Sequence, residues 1–257
     1  THGHDVSVLL RDPAAAWRIA EIRQHLHVVV GGLADLQALA TSFKTFVPEA
    51  IVQLAWEGVG NRYRNEPRKA TNIITTVNLL RLGADLGVKV FVGAGSQAEY
   101  GPVDNAINEN QVPTPTTVYG SSKLEAFKQS DRLAWDCDVR LVWLRIFSTY
   151  GPKDNPDWLI SNLITSLLEG KTMPLTRCEQ QWSFLHAADA ASAFRLAVER
   201  RDMRGIFNVG HPDAPILRET VERVNQLVGG DGRLGFGEVP YRPDQVMLLK
   251  PDVGCLK

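Results

Sequence analysis

Val88-Lys89-Val90-Phe91-Val92-Gly93-Ala94-Gly95-Ser96 decides the architecture. Val88–Val92 is a short apolar run of strand length, and small residues follow it at its C-terminal end. Upstream, 67–86 reads as a long helix with Ile73, Val77, Leu80 and Ala84 at helical spacing, closed by Gly87. Before it, Ala50–Leu54 is a strand and Ala55–Arg64 a loop; Asp35–Phe43 is a helix with Asp35 near its N-cap. His27–Val30 is a strand ended by Gly31-Gly32, Ala14–Gln24 a helix, and Val6–Leu10 a strand ended by Arg11-Asp12-Pro13. Downstream, the Pro-, Asn- and Thr-rich stretch 101–117 is a loop, Tyr119–Trp135 a helix and Val139–Arg145 a strand. Such alternation predicts a parallel sheet with helices on both faces. Ligands of such sheets bind beyond the C-terminal strand ends, where Ser96 and Phe147-Ser148 fall.

From Gly151 the character changes. Trp158–Leu168 is an amphipathic helix, Ser183–His186 a short strand and Ala187–Arg200 an Ala-rich helix. Gly205–Val209 is a strand, Leu217–Val228 a helix, and Tyr241–Gln245 a polar tail. The 257 residues suffice for one large α/β domain, or one domain with a smaller lobe. A net charge of −1 gives no global field for nucleic acid or anionic membrane. No apolar run reaches the ~20 residues that span a bilayer. Cys137, Cys178 and Cys255 are far apart, show no metal or disulfide spacing, and point to a reducing compartment. The first residues have no signal-peptide character and no initiator Met, and a strand is soon under way. The chain therefore reads as clipped at its N-terminus, and its last residues suggest the same at the other end.

Tyr119 and Lys123 stand four residues apart, one helical turn on one face. A phenol titrates near pH ~10, so its use as acid or base at pH ~7 requires about 4 kcal/mol from its surroundings. An adjacent ammonium supplies part of that, and a serine hydroxyl such as Ser96 can hold the oxygen that trades the proton. Taken alone, the spacing also fits a surface helix with an amphipathic Tyr and a solvated Lys.

Six motifs in register carry a resemblance across nearly the whole chain. They are Gly93–Pro102 with Ser96 and Tyr100-Gly101, Tyr119-Gly120-Ser121-Ser122-Lys123, and Leu144-Arg145-Ile146-Phe147-Ser148-Thr149-Tyr150-Gly151-Pro152. The others are Trp182-Ser183-Phe184-Leu185-His186 with Asp189, Phe207-Asn208-Val209-Gly210, and Arg242-Pro243-Asp244. Together they resemble extended short-chain dehydrogenase/reductases of the NAD(P)-dependent epimerase/dehydratase family, which act on nucleotide sugars. The resemblance implies a Rossmann-like doubly wound sheet over 1–150, without its N-terminal Gly-rich βα unit, and a smaller α/β substrate lobe mainly over 151–257. It makes Tyr119 the acid/base, Lys123 the holder of the nicotinamide ribose, and Ser96 the partner of the reacting sugar oxygen. It places Arg11, Leu33, Leu54, Ala55, Trp56, Asn72, Ile146 and Phe147 on the cofactor, and Gln97, Ser148, Trp182 and Arg242 on the nucleotide sugar. The alternatives are a solvated helix position for Asn72, core packing for Ile146 and Phe147, and a surface charge for Arg242. It also implies a homodimer built from the 67–86 and 119–135 helices, and a cytoplasmic place in deoxysugar biosynthesis.

The departures are specific. The Gly-x-x-Gly-x-x-Gly loop is absent, and Gly32 replaces a common Asp of the adenine pocket. Leu10 stands where NAD users carry Asp, and the Arg11 that follows can pair with a 2′-phosphate, which inclines the reading to NADP over NAD. Trp182 replaces Arg and Ser148 replaces Asn where the family touches the nucleotide sugar. Gln97 and Ala98 stand where dehydratases need an acidic pair, and neither moves a proton as a carboxyl does. A dehydratase is thereby disfavoured; the Ser-Tyr-Lys set does not separate epimerase from reductase, and Arg11, through NADP, tips the expected activity to reduction of an NDP-4-keto-6-deoxyhexose at C4. The alternatives are an NDP-hexose 4-epimerase with tightly held NAD, and a non-catalytic Rossmann-like binding protein.

Overall fold

A computed structural model describes residues 2–59, 65, 69–229, 232–243 and 245–256. The end of the loop expected over 55–64, the first two residues of the helix expected over 67–86, and Asp244 lie outside the described residues. In chain order the elements are β1 (Ser7–Leu10), β2 (His27–Val30), α1 (Leu36–Phe46), β3 (Ala50–Gln53), α2 (Lys69–Asp85) and β4 (Val90–Ser96). Next come α3 (Val118–Asp136), β5 (Arg140–Ile146), β6 (Ser148–Tyr150), α4 (Leu159–Leu168), β7 (Thr172–Leu175), β8 (Gln181–Trp182) and β9 (Phe184–His186). The chain continues through α5 (Ala187–Glu199), β10 (Gly205–Val209), α6 (Leu217–Val228), β11 (Arg233–Phe236) and β12 (Leu248–Leu249).

The central sheet has the order β10-β5-β4-β3, and every pair in it is parallel. β4 and β5 are buried on both faces, which is why both read as apolar runs without alternation. Phe91 of β4 and Leu141 and Trp143 of β5 pack with Leu79 and Leu80 of α2 and with Ala126 and Leu133 of α3. The alternate residues Val92, Val142 and Leu144 pack with Ala190, Ala193 and Ala197 of α5. β10 comes from beyond residue 150 and rejoins this sheet beside β5. β1 and β2 form a separate parallel pair, not hydrogen-bonded to the central sheet. The remaining lobe packs Leu163 and Leu167 of α4, Met173 and Leu175 of β7, and Leu217 and Val221 of α6 around Cys178. Tyr100, Ile107, Phe147 and Leu249 form a fourth core cluster, against which Trp182 rests.

Capping follows the sequence. The Asp35 carboxylate accepts the Ala38 N–H at 3.0 Å and starts α1; the Thr117 hydroxyl accepts the Gly120 N–H at 3.1 Å and starts α3. Two expectations need correction. The segment expected as an α-helix over 14–24 is a 3-10 run, Trp17–His25, with no buried residue, so no packed face holds a wider helix there. The strand expected to stop at Val92 continues to Ser96. Gly93 and Gly95 sit beside Trp143 and Arg145 in register, and the Trp143 indole lies where their side chains would be. The missing Cβ atoms admit the indole and let the strand run on. Among the described residues no helix is long and apolar enough to cross a membrane.

Candidate active site

Three elements converge at the C-terminal end of the central sheet. β4 delivers Ser96, α3 delivers Tyr119 and Lys123, and the stretch after β3 delivers Trp56. The α3 start lies hard against the single 3-10 turn Gln97–Glu99 that follows Ser96, because a Cβ on Gly120 would collide with the Ala98 carbonyl oxygen. Only glycine allows that approach. Gly120→Ala is expected to cost roughly 1–3 kcal/mol by forcing the helix off the turn. Thermal denaturation should register the loss, and activity should fall with it.

Lys123 is 3% exposed, and its Nζ donates to the Ala94 carbonyl at 2.6 Å. The same ammonium lies 3.8 Å from the centre of the Trp56 ring. Such a desolvated cation–π contact is worth about 1–2 kcal/mol. The Trp56 indole also meets the half-buried Tyr119 ring edge-on, with centroids 6.2 Å apart. One indole thus touches both members of the Tyr-x-x-x-Lys pair, and the surface-helix alternative fails for Lys123. Ser96 is buried; its Oγ accepts the Ala98 N–H at 3.2 Å. That bond leaves the hydroxyl hydrogen as a donor to an incoming oxygen.

The residues expected around a cofactor divide. Leu54 is 62% exposed and Ala55 is exposed, forming an open apolar strip beside Trp56. Trp56 Nε1 is buried with no hydrogen-bond partner among the described residues. Asn72 is buried, not solvated: its Oδ1 accepts the Glu57 N–H at 2.9 Å and its Nδ2 donates to the Glu57 carbonyl at 3.1 Å. Its amide therefore shapes the Trp56-Glu57 stretch. Arg11 pairs with Glu57 at 3.1 Å, both side chains well exposed. Leu33 packs against the core on the α2 side of the sheet, and Phe147 lies in the fourth cluster with its N–H on the Val209 carbonyl. Ile146 is half-buried at the end of β5, in register with Ser96.

On the substrate side, Trp182 Nε1 donates to Ser148 Oγ at 2.7 Å. The two residues that depart from the family pattern are therefore partners of each other. Gln97 is half-buried on the turn after Ser96, and Arg242 is exposed.

Glu99 and Arg145 escaped the sequence reading as site residues. They form a fully buried ion pair at 2.8 Å. Burial works against the Arg145 charge, but Glu99 and Tyr100 more than offset it, so its pKa lies above the ordinary arginine value. The Arg145 guanidinium also lies 4.3 Å from the Tyr100 ring centre. Burial raises the Tyr100 phenol pKa, and the phenol donates to Asn208 Oδ1 at 2.7 Å. The signal was present: a lone arginine in the buried run Leu141-Val142-Trp143-Leu144-Arg145 demands a buried partner.

A profile of the NAD dependent epimerase/dehydratase family matches residues 1–210. The chain belongs to that family. Among its relatives is an uncharacterized UDP-glucose epimerase, YtcB, of Bacillus subtilis, 24% identical over 207 residues covering 80% of this chain and 65% of YtcB. A UDP-glucuronate 4-epimerase of Thermodesulfobacterium geofontis is 27% identical over 222 residues, covering 83% of this chain and 68% of the relative. The chain thus spans about two thirds of these relatives' length. The solved structure of MoeE5 with UDP-glucuronic acid and NAD superposes with a TM-score of 0.84 at 26% identity, covering 99% of this chain and 83% of MoeE5. The epimerase/dehydratase fold therefore extends over essentially the whole chain.

Proposed function

We propose that the protein is an NAD-dependent enzyme that acts at C4 of a nucleotide-linked sugar, and that it is a 4-epimerase. The observation that carries the reading is the buried Lys123 of α3 bonded to the Ala94 carbonyl of β4, two residues before the donor-ready Ser96, with Tyr119 one turn away on the same helix. MoeE5 and the epimerase relatives support the chemistry.

The residues present fit a dinucleotide at its nicotinamide end. The Leu54-Ala55 strip is open, Trp56 Nε1 is buried without a hydrogen-bond partner among the described residues, and Lys123 brings a cation beside them. Leu54, Ala55, Trp56 and Lys123 would hold the group, which supplies hydride transfer when bound. Tyr119 takes the proton from the sugar O4 hydroxyl and later returns it, while Ser96 donates to the same oxygen and fixes its place. The ammonium of Lys123, one turn from the phenol, favours the ionised form of Tyr119 during that exchange. Trp182, Ser148, Gln97 and Arg242 bind the nucleotide sugar, and the exposed Arg242 is free to meet a diphosphate.

The expectation of NADP, and with it of a ketoreductase, rested on Arg11. The Glu57 carboxylate beside that guanidinium would repel a 2′-phosphate, so NAD and the epimerase reading are favoured. A surface pair of this kind is worth about 0–1 kcal/mol, enough to bias the choice and not to forbid NADP. We extend the reading to a homodimer through α2 and α3, where Ile74 and Val118 are exposed.

The test is incubation of the full-length protein with UDP-glucose and no added cofactor. Formation of UDP-galactose supports the epimerase. Loss of NADPH absorbance with an NDP-4-keto-6-deoxyglucose, in its place, moves the assignment to the reductase. Neither activity, with no nucleotide bound, leaves a binding protein. A second expectation follows from Trp56. Binding of NADH should change the tryptophan emission, and Trp56→Phe should remove most of that change while leaving the other five tryptophans in place. An undiminished change in the variant would place the nicotinamide elsewhere.

A further inference from the structure

We propose that Glu99 is a positioning residue for the Ser96 hydroxyl; the inference rests on the role given to Ser96 above. Three donors from two strands meet on its carboxylate. Oε1 accepts the backbone N–H of Ser96 at 2.8 Å and Trp143 Nε1 at 3.0 Å, and Oε2 accepts Arg145 Nε at 2.8 Å. Neither Glu99 nor Arg145 reaches solvent.

The connection to the hydroxyl is short and reciprocal. The Ser96 side chain caps the turn Gln97–Glu99 by accepting the Ala98 N–H, and the Glu99 side chain returns to the Ser96 N–H. This capping box normally starts a helix. Here it closes a single turn at the end of β4, so its effect falls on the residue that carries the hydroxyl. The bond to Ala98 fixes one lone pair of Oγ, and the bond to Glu99 fixes the backbone that carries it. The hydroxyl hydrogen is left with a narrow range of directions.

The carboxylate itself has no freedom. Trp143 lies over Gly93 and Gly95, and a Cβ on Gly95 would come within 2.8 Å of Glu99 Oε1. Arg145 is stacked on Tyr100, whose phenol is tied to Asn208 of β10. The Ser96 turn is thereby referenced to β5 and β10, not only to its own strand. A buried ion pair adds little to stability over an apolar pair of similar volume. Its direct bond to the Ser96 N–H gives it a positional task that an apolar pair cannot perform.

The test is a double-mutant cycle on the full-length protein, joined to amide hydrogen exchange. Wild type, Ser96→Ala, Glu99→Gln and the double variant are assayed for kcat and KM with UDP-glucose. Glu99→Gln is expected to lower kcat about tenfold to a hundredfold with little change in KM. The double variant should be no slower than Ser96→Ala alone, since Glu99 acts through the missing hydroxyl. Effects that multiply overturn the inference and leave the site reading intact. A Ser96→Ala enzyme as fast as wild type overturns both.

In hydrogen exchange, Glu99→Gln should speed exchange at residues 96–100 while the α4–α6 lobe keeps its protection. No change at 96–100, or a general loss of protection, overturns the inference. Should UDP-glucose not be turned over, the exchange result alone decides. If Glu99→Gln does not fold, Glu99→Met/Arg145→Met removes both buried charges together and enters the same two measurements. Full activity and unchanged exchange in that variant likewise overturn it.

Discussion

Tyr119→Phe is expected to reduce turnover by about 10²–10⁴-fold and to leave dinucleotide binding unchanged. The substitution removes one oxygen and keeps the ring. The edge-on contact with Trp56 survives, and so does the Lys123 bond to the Ala94 carbonyl, since neither uses the phenolic oxygen. The cation and the indole that would flank the nicotinamide therefore stay in place, while the group that trades the O4 proton is gone. Turnover with UDP-glucose and a parallel NADH titration separate the two quantities. A variant with wild-type kcat would remove the phenol from the mechanism. One that loses NADH affinity as steeply as kcat would make Tyr119 a binding residue instead.

The sheet was legible because β4 and β5 are buried on both faces, and a doubly covered strand announces itself as an unbroken apolar run. α3 was legible from Tyr119 to Trp135, and the structure adds only one residue at each end. The Tyr119–Lys123 pair was legible because helix periodicity fixes its geometry locally. Ser96 was expected just past the C-terminal end of the strand and is its last residue: glycines ordinarily weaken strands, and nothing local shows that Trp143, fifty residues on, fills their space. The same distance hid Glu99. Its three partners are its own turn and two side chains of β5, and only the strand register brings them together. Arg11 shows the converse. Its position after β1 was readable, but the Glu57 carboxylate that alters its meaning comes from a loop shaped by Asn72. Long-range pairing, not composition, sets the function of each of these charges.

That dependence predicts a large stability effect. Arg145→Met should destabilise the protein by about 3–5 kcal/mol, because it leaves the Glu99 carboxylate buried without its countercharge. At this chain length the loss corresponds to a melting temperature lower by on the order of 10 °C. Methionine keeps most of the volume against the Tyr100 ring, so lost packing is a small part of the effect. Adding Glu99→Met should then recover much of the stability, since the second substitution removes the orphaned charge that the first created. Thermal unfolding of the single and double variants measures the difference directly. If the double variant melts as low as Arg145→Met alone, the guanidinium acts chiefly through its stacking on Tyr100. If Arg145→Met melts with the wild type, the buried pair does not govern stability here, and the electrostatic account of this core fails.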